Sequence, residues 1–162
     1  MNIFTLDQSP IKSAELMLDK HVVKMPTESL QMLFTIVDYL GLEAGWKPVM
    51  LNHPSTIWAR ETRQNFQWLR EHTYALCREY THRYGKRHKS IDVINWCIIN
   101  KPNIPDIGFT TPAMAMPDEF KVDSVVESYR NYYMGAKISL ASWKNREKPF
   151  WFGKKELDLQ YD

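Results

Sequence analysis

The feature that most constrains this chain is the segment from Pro54 to Tyr84, where Phe66, Leu69, Thr73, Leu76 and Tyr80 recur at intervals of three and four. That interval is the period of an α-helix, so the segment reads as one long helix with an apolar seam. Gly85 supplies the left-handed residue that ends such a helix. A seam this long must be covered by other amphipathic elements, and the sequence offers them on both sides. Ser9-Pro10 reads as an N-cap followed by proline at the first helical position, opening a helix that runs to Lys24. Pro26 cannot donate to the backbone ladder and is expected to kink or restart it. Leu30, Leu33, Phe34, Val37 and Leu40 then continue an apolar face, with Gly41 as the stop.

Residues 41 to 53 hold two glycines and Pro48 and read as a loop. Ser90 is placed to cap a short helix to about Asn100, although residues 93 to 99 also suit a buried strand by composition. Pro102, Pro105, Pro112 and Pro117 make residues 101 to 120 an irregular wrap. Asp123 is expected to cap a last helix carrying Val126, Tyr129, Tyr133, Ala136 and Leu140. The reading is mainly α with little strand: one compact helical domain over residues 1–152 and a polar C-terminal tail over 153–162.

Composition narrows the class. Of 162 residues, 44% are hydrophobic and 25% charged, which is the balance of an ordered globule rather than a disordered chain. A formal net charge of +2 excludes a uniformly basic nucleic-acid binder, so any affinity for DNA has to come from where charge is placed. Aromatic residues reach 13%, enough for a tight core, a stacking site, or both. Cys77 and Cys97 lack zinc-type spacing and read as small buried apolar residues of a cytosolic protein. No apolar run approaches membrane-spanning length, and the first residues lack the layout of a signal peptide; a cytoplasmic protein is expected.

Four constellations could carry chemistry. On a helix, Lys20, His21, Lys24, Glu28 and Gln31 share one sector about 100° wide. A carboxylate among cations suits stabilising a developing positive charge or managing protons, and the same stripe could equally be a solvated face with helical ion pairs. Asn52, His53, Pro54, Ser55 and Thr56 enter the long helix, where backbone N–H groups could hold a phosphate or where Ser55 and Thr56 simply cap. Arg60, Arg63, Arg70 and Arg78 form a row roughly opposite the apolar seam, and Arg83, Lys86, Arg87, His88 and Lys89 crowd the helix end. Such a row could face DNA phosphates or merely solvent. Finally, Tyr129, Tyr132, Tyr133, Trp143 and the Pro149–Phe152 cluster read as core, with Trp151 and Tyr132 as candidates for base stacking. No phosphate-binding loop, dinucleotide fingerprint, nucleophile elbow or metalloprotease motif is present.

Taken in order, these pieces resemble the pyrimidine-dimer DNA glycosylases of the phage endonuclease V type. Asp19, His21 and Glu28 match that family's spacing of aspartate, histidine and glutamate. Pro54-Ser55-Thr56 leads into the long helix in a similar context. Met116-Pro117-Asp118-Glu119-Phe120-Lys121 looks like the family's proline-then-acidic-aromatic-basic segment, and Pro149 with Trp151 is similar to its C-terminal proline–aromatic patch. The resemblance implies a compact helical domain that grips duplex DNA, with no metal and no organic cofactor. It implies an N-terminal α-amine that attacks the sugar C1′ to form an imine, supported by the glutamate at the position of Glu28.

The family's nucleophile is a small hydroxyl residue exposed by removal of the initiator methionine. Here position 2 is Asn2, a poor context for that removal, so Met1 is expected to remain. The expected catalytic set is Glu28, His21 and Met1. The expected DNA-binding set is Lys20, Lys24, Asn52, His53, Ser55, Thr56, Arg60, Arg63, Arg70 and Trp151. Two other readings of the same scaffold stay open: a phage DNA-base hypermodification transferase and a non-catalytic DNA-binding protein.

Overall fold

A computed structural model describes residues 2–43, 45–99 and 102–153, together with the backbone but not the side chains of residues 97–99. The described residues build six helices: α1 (Pro10–Leu16), α2 (Asp19–Tyr39), α3 (Pro54–Glu61), α4 (Arg63–Tyr84), α5 (Ser90–Ile99) and α6 (Val125–Ala136). Single 3₁₀ turns lie at Asp118–Phe120 and Ile138–Leu140, and no strand occurs among the described residues. The polar tail expected after residue 152 lies, from residue 154 on, outside the described residues. No helix among the described residues is long and apolar enough to cross a membrane.

The long periodic segment is two helices, not one. Thr62 adopts an extended conformation (φ −135°, ψ 155°), closing α3 and capping α4 through a hydrogen bond its side chain accepts from the Asn65 N–H at 3.0 Å. Asn65 completes the joint. Its side-chain amide donates to the Trp58 carbonyl at 2.9 Å, and its carbonyl accepts from the Thr110 N–H at 2.9 Å. A cap pair can interrupt a helix without breaking its hydrophobic period, which is why periodicity alone read straight through it. Gly85 ends α4 as expected, at φ +67°.

The first expected helix is also divided. Ser9 caps α1 as expected, but Met17 and Leu18 are extended and fully buried, and α2 begins at Asp19. Burying those two side chains outweighs the local preference to continue the helix. In contrast, Pro26 neither stops nor restarts α2, which runs through it to Tyr39 with Pro26 buried. The cap of α6 is Ser124, whose side chain accepts from the Glu127 N–H at 3.2 Å, rather than Asp123. The proline-rich stretch is irregular as read. It runs along α3 and α4, held by Trp58 Nε1–H to the Thr110 carbonyl and by the Gly108 N–H to Gln64 Oε1, each at 3.0 Å.

Two apolar clusters form the core, and α2 and α4 contribute to both. One gathers Leu30, Leu33, Phe34, Val37, Trp58, Phe66 and Leu69. The other gathers Phe4, Leu18, Val22, Leu76, Tyr129, Tyr133, Trp151 and Phe152. Most of the rings are therefore packing, as the composition suggested. Trp151 is only 7% exposed, so it is not a stacking surface, and Phe150 at 76% is the exposed ring of that cluster.

Arg83 is fully buried, although the sequence groups it with a basic surface cluster. Its guanidinium donates to Glu79 Oε2 (2.7 Å), Asp19 Oδ1 (3.0 Å) and the Glu15 carbonyl (2.9 Å). Asp19 further accepts from Ser142 Oγ at 2.8 Å and from the Lys144 N–H, while Glu79 accepts from Arg146. Burial opposes the ionised form of Glu79, but the hydrogen bonds from Arg146 and Arg83 prevail and hold its carboxyl below the ordinary range.

Replacing Arg83 with methionine leaves Asp19 and Glu79 without their shared partner. That should cost about 3–5 kcal/mol, measured as a lower midpoint of urea unfolding. Arg146→Ala, at a position one-third exposed, should cost clearly less. Equal losses would contradict the central place of Arg83.

Candidate active site

The N-terminal segment, the first turn of α2 and the inner face of α6 meet around one imidazole. Phe4 has a positive φ of 54°, an uncommon conformation for a residue with a side chain. It lays the phenyl ring flat against His21, with centroids 4.2 Å apart and planes 18° from parallel. On the other side, His21 Nδ1 lies 2.6 Å from the Tyr133 hydroxyl. That hydroxyl already accepts the Leu18 N–H at 3.4 Å, so its own proton points to His21. Burial pushes the Tyr133 hydroxyl far up and keeps it protonated. His21 is then the tautomer with its proton on Nε2, a donor on the side away from Tyr133.

His21 is held neutral. Burial lowers its pKa to about 4, with the ammonium groups of Lys137 and Lys24 adding to the effect. Lys137 stands over the Tyr132 ring, 5.0 Å from its centroid, and Lys24 pairs with Glu28 at 3.6 Å. The Glu28 side chain is 18% exposed, while that of Lys24 is 69% exposed. The stripe read from the sequence is thus real as a stripe, and the structure grades it. His21 is buried, Glu28 is partly covered, and Lys20 and Lys24 reach solvent. Asp19 departs from the set, because its carboxylate is consumed by Arg83, Ser142 and Lys144.

Asn2 gives the chain's start its fixed place. Its Oδ1 accepts from the Ile3 N–H (2.7 Å) and the Tyr129 hydroxyl (3.0 Å), and its amide donates to the Ala115 carbonyl at 2.7 Å. The Tyr129 hydroxyl also accepts the Ala115 N–H and lies 2.7 Å from the Ala113 carbonyl. Met1, expected to carry the nucleophile, lies outside the described residues.

The entry to α3 differs from expectation. His53 is the cap, its Nδ1 accepting from the Ser55 N–H at 3.1 Å. Ser55 and Thr56 are buried, so their hydroxyls offer no surface to a phosphate. Ser55 lies beside the Tyr129 hydroxyl. Asn52 is exposed and His53 half-buried. The arginines stand apart from the imidazole. Arg60 donates to the Leu51 carbonyl at 2.7 Å and lies over the Tyr39 ring, and Arg63 pairs with Asp106 at 3.6 Å. Arg70 lines a cleft on the outer face of α4. Trp151 packs between Tyr133 and Phe152, with the Arg130 guanidinium 5.2 Å from its ring centroid.

Sequence reading missed Asn2, Phe4, Tyr133 and Lys137 as parts of this site. Tyr129 and Tyr133, four apart on α6, carried the only signal: a tyrosine pair at core spacing brings two hydroxyls that must find partners inside. Among the described residues, no cluster of histidine, cysteine or carboxylate side chains is arranged to hold a metal.

A model of the pyrimidine dimer DNA glycosylase family matches residues 1–92. The chain belongs to that family. No curated protein and no solved structure matches it. The matched span holds α1 to α4 and therefore Asn2, His21, Lys24 and Glu28. In this pyrimidine dimer DNA glycosylase family member, the other half of the site comes from beyond the match, since α6 supplies Tyr129, Tyr132 and Tyr133 and its C-cap supplies Lys137.

The geometry fixes how His21 should titrate. Its folded pKa lies below the unfolded value, so the unfolded chain binds the extra proton between about pH 4 and pH 6.5. The His21 contribution to stability is complete above that window and declines as pH falls through it. In a histidine-ring NMR titration, His21 should stay neutral to near pH 4. Lys24→Ala with Lys137→Ala should raise its midpoint yet leave it below 6.5, because burial is the larger cause. A wild-type midpoint at 6.5 would exclude the enclosed, neutral imidazole.

Proposed function

We propose that this protein is a DNA N-glycosylase with associated lyase chemistry, which removes a damaged or modified pyrimidine from duplex DNA. One observation carries the reading: the family match covers the whole of α2 and so includes both the partly covered Glu28 and the neutral His21, two turns apart on one side of that helix.

In this proposal the amine of Met1 attacks the sugar C1′. The new C–N bond forms as the glycosidic bond breaks, and the base departs with the bonding pair and takes up a proton. The attached nitrogen then gives up a proton and the C1′–O4′ bond breaks, its electron pair and a proton going to O4′, which leaves a cationic imine at C1′. An amine of low intrinsic pKa is a good nucleophile for this step near neutral pH. Glu28 is the carboxylate placed to steady the imine cation, a charge that develops only along the reaction. His21, fixed as an Nε2–H donor, positions a sugar or phosphate oxygen. Lys20, Lys24 and Lys137 form the cationic rim that receives the backbone, joined by Asn52 and His53 at the α3 entrance. Asn2 serves the reaction indirectly, by fixing the backbone that carries the nucleophile.

Borohydride reduction tests the chemistry directly. Incubation with duplex DNA bearing a pyrimidine dimer or an abasic site should yield a covalent protein–DNA adduct. Peptide mapping should place it on the first residue of the mature chain, and intact mass should show Met1 retained. Glu28→Gln should lower adduct formation by about 100-fold while leaving DNA affinity within a few-fold, since one oriented charge is worth that much at such a step. DNA binding without any adduct would refute the imine mechanism and leave a DNA-binding protein. Normal turnover by Glu28→Gln would remove Glu28 from its assigned role.

A further inference from the structure

The outer face of α4 carries a second feature that the imidazole site does not use. Leu69, Thr73 and Leu76 of α4 face the core, whereas Arg70, Tyr74 and Arg78 lie some 140° around the helix from them. These three are successive i, i+4 positions, so they form one row, with Tyr74 one turn from each guanidinium. The outer arginines are about 12 Å apart along the axis. The row lies in a trough of about 500 Å³ walled by Ile11 and Glu15 of α1 on one side and by Ile94 of α5 on another. Arg146 stands at its rim.

The trough combines three properties that a merely solvated helix face lacks. It is concave, and its volume is in the range of small-ligand sites. It exposes two large apolar side chains, Tyr74 at 39% and Ile11 at 57%. Arg70 and Arg78 make no ion pair or hydrogen bond among the described residues, unlike Arg60, Arg63, Arg83, Arg87 and Arg146. The carboxylates in the lining are mostly engaged. Glu79 is held by Arg83 and Arg146, and Glu15 lies 3.7 Å from Arg146, which leaves Glu71 as the one lining carboxylate without a cation among the described residues.

We propose that this trough binds a short stretch of single-stranded DNA, with one base stacked on Tyr74 and the flanking phosphates on Arg70 and Arg78. Alternating cation and ring is the pattern by which proteins hold single strands without reading sequence. A duplex offers phosphates and groove edges to a protein surface but keeps its base faces stacked inside, so it has no free base face to lay on the Tyr74 ring. The feature lies on the side of α4 away from α2, and its occupancy requires no catalysis. Its test is therefore independent of the glycosylase reading.

The measurement is fluorescence anisotropy with a labelled oligothymidylate of about ten nucleotides, a length within the usual site size of such grooves. The full-length protein should bind it. Arg70→Ala with Arg78→Ala should weaken binding at least about tenfold and reduce the slope of log affinity against log salt by about 1.4, the value for two lost single-strand phosphate contacts. Tyr74→Ala should weaken binding about tenfold and Tyr74→Phe should restore it, since the ring face and not the hydroxyl is used. Glu71→Gln should tighten it. All four side chains are at least partly exposed and outside the core, so the fold is kept. Unchanged affinity in the double variant would overturn the proposal. So would equal competition by a duplex of the same length, or by thymidine monophosphate at the same concentration.

Discussion

The guanidinium of Arg83 is the constraint on which the rest of this structure depends. It sits with no solvent exposure between two carboxylates and a carbonyl, and each of its partners belongs to a different part of the chain. Glu79 belongs to α4, Asp19 starts α2, and the Glu15 carbonyl lies near the end of α1. Through Asp19 and Glu79 the network reaches residues 142–146 as well. Removing two carboxylates and a guanidinium from water is expensive, and it is tolerated only because nearly every donor and lone pair finds a partner. The return is specificity of arrangement. The break between α1 and α2, the end of α4 and the C-terminal segment can meet in only one way if all those bonds are made.

That arrangement in turn positions the site. Asp19 fixes the start of α2, and His21 follows two residues later on the first turn. The imidazole is then clasped between a phenyl ring and a phenol, and two ammonium groups bias it further toward neutrality. Nothing about His21 in isolation requires that state. It follows from burial that the neighbouring helices impose.

Much of this was legible in the sequence, and the rest failed for identifiable reasons. Helical class, the Ser9 cap, the Gly85 stop and the irregular proline stretch are local properties, written in residues close together. The division at Thr62 was hidden because a cap pair preserves hydrophobic phase. Arg83 and Asp19 read as surface charge and as a motif residue because burial of an ion pair depends on partners 64 residues apart, which no local window contains. Ser55, Thr56 and Trp151 have residue types suited to ligands, yet tertiary packing buries all three. The stripe of His21, Lys24 and Glu28 follows from helical spacing alone, whereas Tyr133 and Lys137 arrive from α6 and its C-cap and could not be read that way.

The bonds of Asn2 also say something about when the site comes into being. Its side chain reaches Ala115 and Tyr129, 113 and 127 residues further along the chain. Closing a loop of that length costs entropy that only the assembled helices can repay. During synthesis, Asn2 must therefore wait for α6 before it is fixed. A nascent chain carrying α1 to α4 holds Glu28 and the unshielded imidazole but lacks Tyr133, Tyr129 and Lys137. The half of the site that α2 carries is therefore made well before the half that encloses it.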